Sequence, residues 1–183
     1  MEMTIEEGVF YRLVTDNVQR TEEFQRYGLE GLTFEPQLVS PDESIPPLKR
    51  AIKLSNGAGK GSIIELSHLQ IQGFDQGDSI RWSRSSVSTY EGRRATWNAY
   101  LGVNDGETIK IYRGQVEGEL TTHYYAREAE GFDCFFKPFE SPLTLYELGK
   151  LNGIGSVSAH KRAIDTIKTE RPVITVKRSA LRK

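Results

Sequence analysis

The strongest constraint on the fold is a pair of long alternating runs, Arg94 to Val103 and Glu107 to Gln115, joined by Asn104-Asp105-Gly106. Period-two alternation places apolar side chains on one face of a strand, and Asn, Asp and Gly accept the positive φ that a tight hairpin demands. The chain must therefore build a sheet around an antiparallel ribbon. Two strand-turn-helix passes precede it. Val9 to Val14 is rich in β-branched and aromatic residues, Thr15-Asp16-Asn17 is a polar turn, and Val18 to Tyr27 carries Phe24 and Tyr27 at helical spacing before Gly28. Leu32 to Val39 reads as a second strand, Ser40 to Ser44 offers N-cap chemistry, and Pro46-Pro47 suits the first turn of a helix over Leu48 to Leu54. Ser62 to Leu66 is strand-like again, and helices are predicted over Leu143 to Leu151 and Ser158 to Lys168. Strand-helix-strand order beside an antiparallel ribbon predicts the α/β class, a twisted mixed sheet flanked by helices.

The 183 residues suit one domain, read as residues 1–170, followed by a tail over 171–183 that carries Arg171, Lys177, Arg178, Arg182 and Lys183 without an acid. With 37% hydrophobic and 27% charged residues the chain is neither disordered nor a coiled coil. A net charge of -1 supplies no whole-molecule field to hold nucleic acid or an anionic membrane. The single Cys134 fits a reducing compartment, and His68, His123 and His160 lack zinc spacing. An acidic N-terminus and no apolar run near the ~18 residues of a membrane helix point to a cytosolic protein.

Two local motifs invite a phosphate-binding reading. Gly57-Ala58-Gly59-Lys60-Gly61-Ser62 fails as a phosphate loop, because Leu54 and Gly61 occupy places that need Gly and Ser or Thr, and a strand follows instead of a helix. Thr15-Asp16-Asn17-Val18-Gln19-Arg20 is the better candidate: a strand end passing into a helix brings a hydroxyl, a carboxamide, backbone amides and a guanidinium together. A simple N-cap with a solvated arginine is its bland alternative.

Here the chain resembles the inosine triphosphate pyrophosphatase family, which cleaves aberrant purine triphosphates to monophosphate and pyrophosphate. Thr15, Asn17 and Arg20 match the family's Thr-x-Asn-x-x-Lys with Arg for Lys. Arg113-Gly114-Gln115-Val116-Glu117-Gly118 matches its Arg-Gly-x-x-x-Gly, Gly131-Phe132-Asp133 resembles its purine loop, and Ser158-Ala159-His160-Lys161-Arg162-Ala163 looks like its final Ser-His-Arg helix opening, shifted by one. The resemblance runs from about Val9 to Ile167 and implies two lobes around a central nucleotide cleft. It implies phosphate binding by Thr15, Asn17 and Arg20, and base binding by Phe132, Asp133, Ser158, His160, Lys161 and Arg162; Phe132, Phe135 and Phe136 are read equally as base platform or as core. Where the family has two consecutive acids, this chain has Glu65-Leu66. The second acid, which binds magnesium and helps activate water, has become a hydrocarbon that does neither. Glu65 is left as the candidate catalytic acid, and Glu35 with Glu65 as candidate ligands of Mg2+, with Asp42, Glu43 and Asp133 in reserve.

The resulting expectation is a sensor of inosine or deoxyinosine triphosphate, a degenerate enzyme acting through a partner. Similar degenerate members resemble nucleotide-sensing subunits of antiphage systems, whose effector is, for example, a sirtuin-like NAD hydrolase. The alternative is an active magnesium-dependent pyrophosphatase. The family's habit of dimerising makes the Trp82 to Trp97 region the candidate homodimer interface. Arg81-Trp82-Ser83-Arg84 and Arg93-Arg94 with Tyr90 and Trp97 allow a single-strand nucleic-acid reading, which the net charge disfavours.

Overall fold

The computed structural model describes residues 11–38, 42, 44–73, 82–123, 126–127, 131–151 and 154–181. The expected roles of Glu43, Arg81, Arg182 and Lys183 lie outside the described residues. Seven strands form one mixed sheet: β1 (Arg12–Thr15), β2 (Thr33–Pro36), β3 (Ser62–Ile71), β4 (Arg94–Asn104), β5 (Thr108–Leu120), β6 (Phe136–Pro138) and β7 (Ile174–Lys177). Their order is β2-β1-β3-β4-β5-β6, with β7 beside the start of β5. β1 pairs in parallel with β2 and β3, and the other pairings are antiparallel. The predicted class is the observed one. The β4–β5 hairpin forms around Asn104-Asp105-Gly106, where Gly106 takes φ 100° and Asp105 Oδ1 accepts from Glu107 N and Thr108 N.

The helices are α1 (Arg20–Arg26), α2 (Pro47–Ala58), α3 (Arg84–Ser88), α4 (Leu145–Leu151) and α5 (Ala159–Lys168). Strand parity divides what they cover. Leu13, Ile63 and Leu101 pack against Phe24 of α1 and Ala163, Ile164 and Ile167 of α5. Val14, Ile64, Leu66 and Tyr100 face the other way and pack against Ala51 of α2. Toward the far ends of β3, β4 and β5, a third cluster gathers Leu69, Trp97, Val116, Phe135 and Phe136. Gly114 explains one motif glycine: a methyl there would overlap the Ala159 carbonyl of α5, so helix and sheet approach only over a bare Cα.

Several expectations change. β3 continues five residues past Leu66 because its outer half pairs with β4, Ser67 with Ala99 through Ile71 with Ala95. The segment from Arg171 contains β7, and Arg178 Nε donates to Asn56 Oδ1 at 3.2 Å, so this stretch is joined to the sheet and to α2. Trp97 is 3% exposed, which removes it as a surface platform for single-stranded bases and as a homodimer contact. Among the described residues no helix is long and apolar enough to cross a membrane.

Candidate functional site

On the face covered by α1 and α5, the chain buries a polar network centred on Glu65. Thr15 at the end of β1 donates its hydroxyl to Glu65 Oε1 at 2.5 Å. His160, at the first turn of α5, puts Nε2 3.0 Å from Glu65 Oε2 and 3.3 Å from Ser67 Oγ. Arg20 at the start of α1 pairs with Glu23 at 2.6 Å and holds Nε 3.5 Å from Glu65 Oε2. Trp97 Nε1 donates to Ser67 Oγ at 3.2 Å, closing the network on its sheet side. Burial pushes the Glu65 carboxyl up, but the hydrogen bond and charge of His160, then Arg20 and Thr15, outweigh it and hold the group at about 2. Burial alone would lower the Arg20 guanidinium, and Glu65, Glu23 and Asp133 more than reverse that. Asp133 thus lies within electrostatic reach of Arg20, which links the Gly131-Phe132-Asp133 turn to the end of β1.

The aromatic side of this face is continuous with the polar one. His160 sits between Phe24 and Trp97, each ring centroid 5.4 Å away. Trp97 meets Phe132 at 6.2 Å, and Phe132 meets Trp82 at 5.7 Å, edge to face. Phe132 is half-buried, whereas Phe135 and Phe136 are fully buried core residues and serve no base platform. His160 is 1% exposed, and its Nδ1 has no hydrogen-bond partner among the described residues.

The structure brings Thr15, Arg20, Glu65, Asp133, Phe132 and His160 to one face, and gives the side chains of the other expected residues different partners. Asn17 forms the local turn, its Oδ1 accepting from Gln19 N and its N–H donating to Thr15 Oγ1. Ser158 is the buried N-cap of α5, accepting from Lys161 N. Lys161 pairs along the helix with Asp165 at 3.5 Å, and Arg162 reaches Glu140 at 2.7 Å and the Gln115 carbonyl at 2.8 Å. Neither therefore turns toward Glu65 as His160 does.

Glu35 and Glu65 are divided by the sheet. Val14 is the register partner of both Glu35 and Ile64, so Glu35 shares the α2 face with Ile64 and Leu66 while Glu65 points the opposite way. One ion cannot take both as ligands. Arg12, also on the α2 face, neutralises Glu35 at 2.5 Å and donates to the Ala58 carbonyl. Leu66, where the family resemblance places a magnesium-binding acid, is 7% exposed within apolar packing. No group of three or more His, Cys, Asp or Glu side chains able to hold a metal exists among the described residues. These residues do not fit the implied magnesium ion.

The α2 face has residues the sequence reading missed. Arg50 is 8% exposed, and its buried Nε has no partner among the described residues. It lines a cavity of about 560 Å3 with Lys53, Glu35 and Asp42. His68 is pushed down to about 4, first by burial and then by the charge of Arg50. On the other face, Ser67 was likewise unsigned, and Trp97 was read only for nucleic-acid stacking and dimer contact.

No family model matches this chain, and no curated protein matches it in sequence. Among solved structures, the Ham1 protein of Staphylococcus aureus superposes with a TM-score of 0.62 at 18% identity, covering 87% of this chain and 97% of that one. A HAM1 protein from Coxiella burnetii gives 0.57 at 17% identity, covering 87% and 98%. This chain is similar to both in fold over nearly their whole length.

Proposed function

We propose that the chain captures an aberrant purine nucleoside triphosphate, inosine or deoxyinosine triphosphate, and acts as a sensor without turning it over efficiently. The observation that carries this reading is the state of Glu65. A general base must be free to take a proton, and both Glu65 oxygens are engaged, Oε1 by the Thr15 hydroxyl and Oε2 by His160 and Arg20, which hold its carboxyl well below the usual range. The neighbouring position that the motif resemblance assigns to an acid is Leu66. In this reading Glu65 positions His160 and Arg20. The half-buried Phe132 is the stacking surface, His160 Nδ1 the remaining polar atom of the base side, and the Thr15–Arg20 end faces the phosphates.

The Ham1-like fold and the four motifs in family order support a nucleotide ligand. A binder that does not hydrolyse acts only by a ligand-dependent change in what it contacts. An effector protein, in an antiviral setting a NAD hydrolase of the sirtuin type, is the partner this reading implies. In the alternative reading, an active pyrophosphatase, Glu65 would be the working acid. Mixing the protein with inosine, deoxyinosine, xanthosine, adenosine and guanosine triphosphates, and following heat of binding and products in the same samples, separates the two. Selective binding with intact triphosphate supports the sensor. Selective turnover at ordinary enzyme rates, about 1 to 10³ per second, supports the hydrolase.

A further inference from the structure

The groups that the reading above gives to the ligand's anion are already occupied, by the protein's own carboxylates. Glu65 Oε1 accepts from the Thr15 hydroxyl at 2.5 Å, while Oε2 lies 3.0 Å from His160 Nε2 and 3.5 Å from Arg20 Nε. A second carboxylate, Glu23 on α1, accepts from Arg20 Nη1 at 2.6 Å. Asp133, in the turn before β6, adds its charge to the same guanidinium. Among the described residues, Arg20 therefore faces Glu65, Glu23 and Asp133. Glu65 alone meets the hydroxyl, the guanidinium and the imidazole together.

Two anions cannot share these donors. A carboxylate and a phosphate take a guanidinium through the same N–H groups, and an Oγ–H has one proton to give. A phosphate brought to Thr15 and Arg20 without displacing Glu65 and Glu23 would add like charge at hydrogen-bond range, inside a site screened poorly by water. Its binding must therefore break contacts as well as make them. The cost of breaking them lowers the affinity for every anion that uses this end of the cleft, and leaves the choice among anions to other contacts, such as those made at the half-buried Phe132.

We propose that Glu65, assisted by Glu23, is a resident counter-anion that regulates this site: ligand binding is an exchange, in which the incoming anion takes Thr15 and Arg20 from the two carboxylates. That the incoming anion is the phosphate chain of a purine triphosphate rests on the reading above. In the ligand-free chain Glu65 holds Arg20 and His160 in place, and on binding it is released from Arg20. The exchange is the ligand-dependent change that a sensor requires.

The full chain, Glu65→Gln and Glu23→Gln are titrated calorimetrically with inosine triphosphate and with inorganic tripolyphosphate, which has no base. Magnesium is present throughout, and the ligand is checked for integrity by chromatography. Glu65→Gln keeps the side chain's length and an acceptor oxygen but removes its charge, and should bind each ligand about tenfold more tightly, the scale of one charged hydrogen bond that no longer has to be broken. Glu23→Gln frees Arg20 but not Thr15, and should strengthen binding about threefold. Unchanged or weaker binding by folded Glu65→Gln overturns the proposal. If Glu65→Gln does not fold, Glu23→Gln decides, and binding no tighter than that of the unaltered chain overturns it. Gains for tripolyphosphate with no inosine triphosphate binding uphold the exchange and overturn the purine reading. Inosine triphosphate binding that neither variant strengthens overturns the exchange and leaves the purine reading standing. No binding of either ligand by any of the proteins overturns both.

Discussion

The two faces of the sheet treat their buried polar groups differently. Against α1 and α5, Glu65 is met by Thr15, Arg20 and His160, so its charge is balanced inside the protein. Against α2, Arg50 is nearly as buried, and its Nε has no hydrogen-bond partner among the described residues. A satisfied buried network fixes geometry and contributes to folding, whereas a buried donor without an acceptor costs free energy that its removal returns. Substitutions on the two faces should therefore move stability in opposite directions.

The largest effect is expected on the balanced face. Glu65→Gln takes the carboxylate charge away from buried His160 and leaves Arg20 only Glu23, and should cost about 3 kcal/mol, read as a lowered midpoint in urea unfolding. Acid should do the same more gradually. The unfolded chain takes up the Glu65 proton near 4.5, while the folded protein resists it until about 2. The stabilisation is complete above 4.5 and fades as pH falls toward 2, a loss of about 3 kcal/mol that Glu65→Gln should abolish. An acid-unfolding profile identical in the two proteins would remove Glu65 from the centre of the network.

The α2 face should answer with the other sign. Arg50→Met removes a buried donor that has no acceptor among the described residues and keeps the stem that packs under α2, so stability should hold or rise by about 1 kcal/mol. A fall of several kcal/mol would mean that Arg50 has a partner in solution and would erase the contrast. Smaller still, Arg12→Met breaks a half-exposed pair with Glu35 and should change stability by about 1 kcal/mol or less. Finally, NMR titration of His68 in Arg50→Met should show its pKa moved up from about 4, though still below the free value because burial remains.

The parts legible in the sequence are those written in local chemistry. Asn104-Asp105-Gly106 between two alternating runs specifies the β4–β5 hairpin without help from the rest of the chain. Thr15, Arg20 and His160 were reached through motif spacing, because each sits at the junction of a strand or turn with a helix, and Glu65, inside β3, through its place in the paired-acid motif. β7 was hidden: its four residues find β5 only in three dimensions, and the basic side chains around them read as a solvated tail. Arg50 looked like any surface arginine on a helix, since its burial depends on how α2 settles against β3 and β4. The separation of Glu35 from Glu65 depends on register across β1, where a shift of one residue exchanges the faces. Trp97 was visible as a residue, but its indole donates to Ser67 only because β3 extends far enough to place Leu69 opposite it.

The central claim is that nucleotide is held and not cleaved. Its most direct test is a single-turnover measurement, with protein in excess over radiolabelled inosine triphosphate, magnesium present, and pyrophosphate release followed alongside the bound fraction. The account predicts a high bound fraction with triphosphate intact over many minutes. Release of pyrophosphate within seconds from the bound fraction would contradict it and make Glu65 a working catalytic acid.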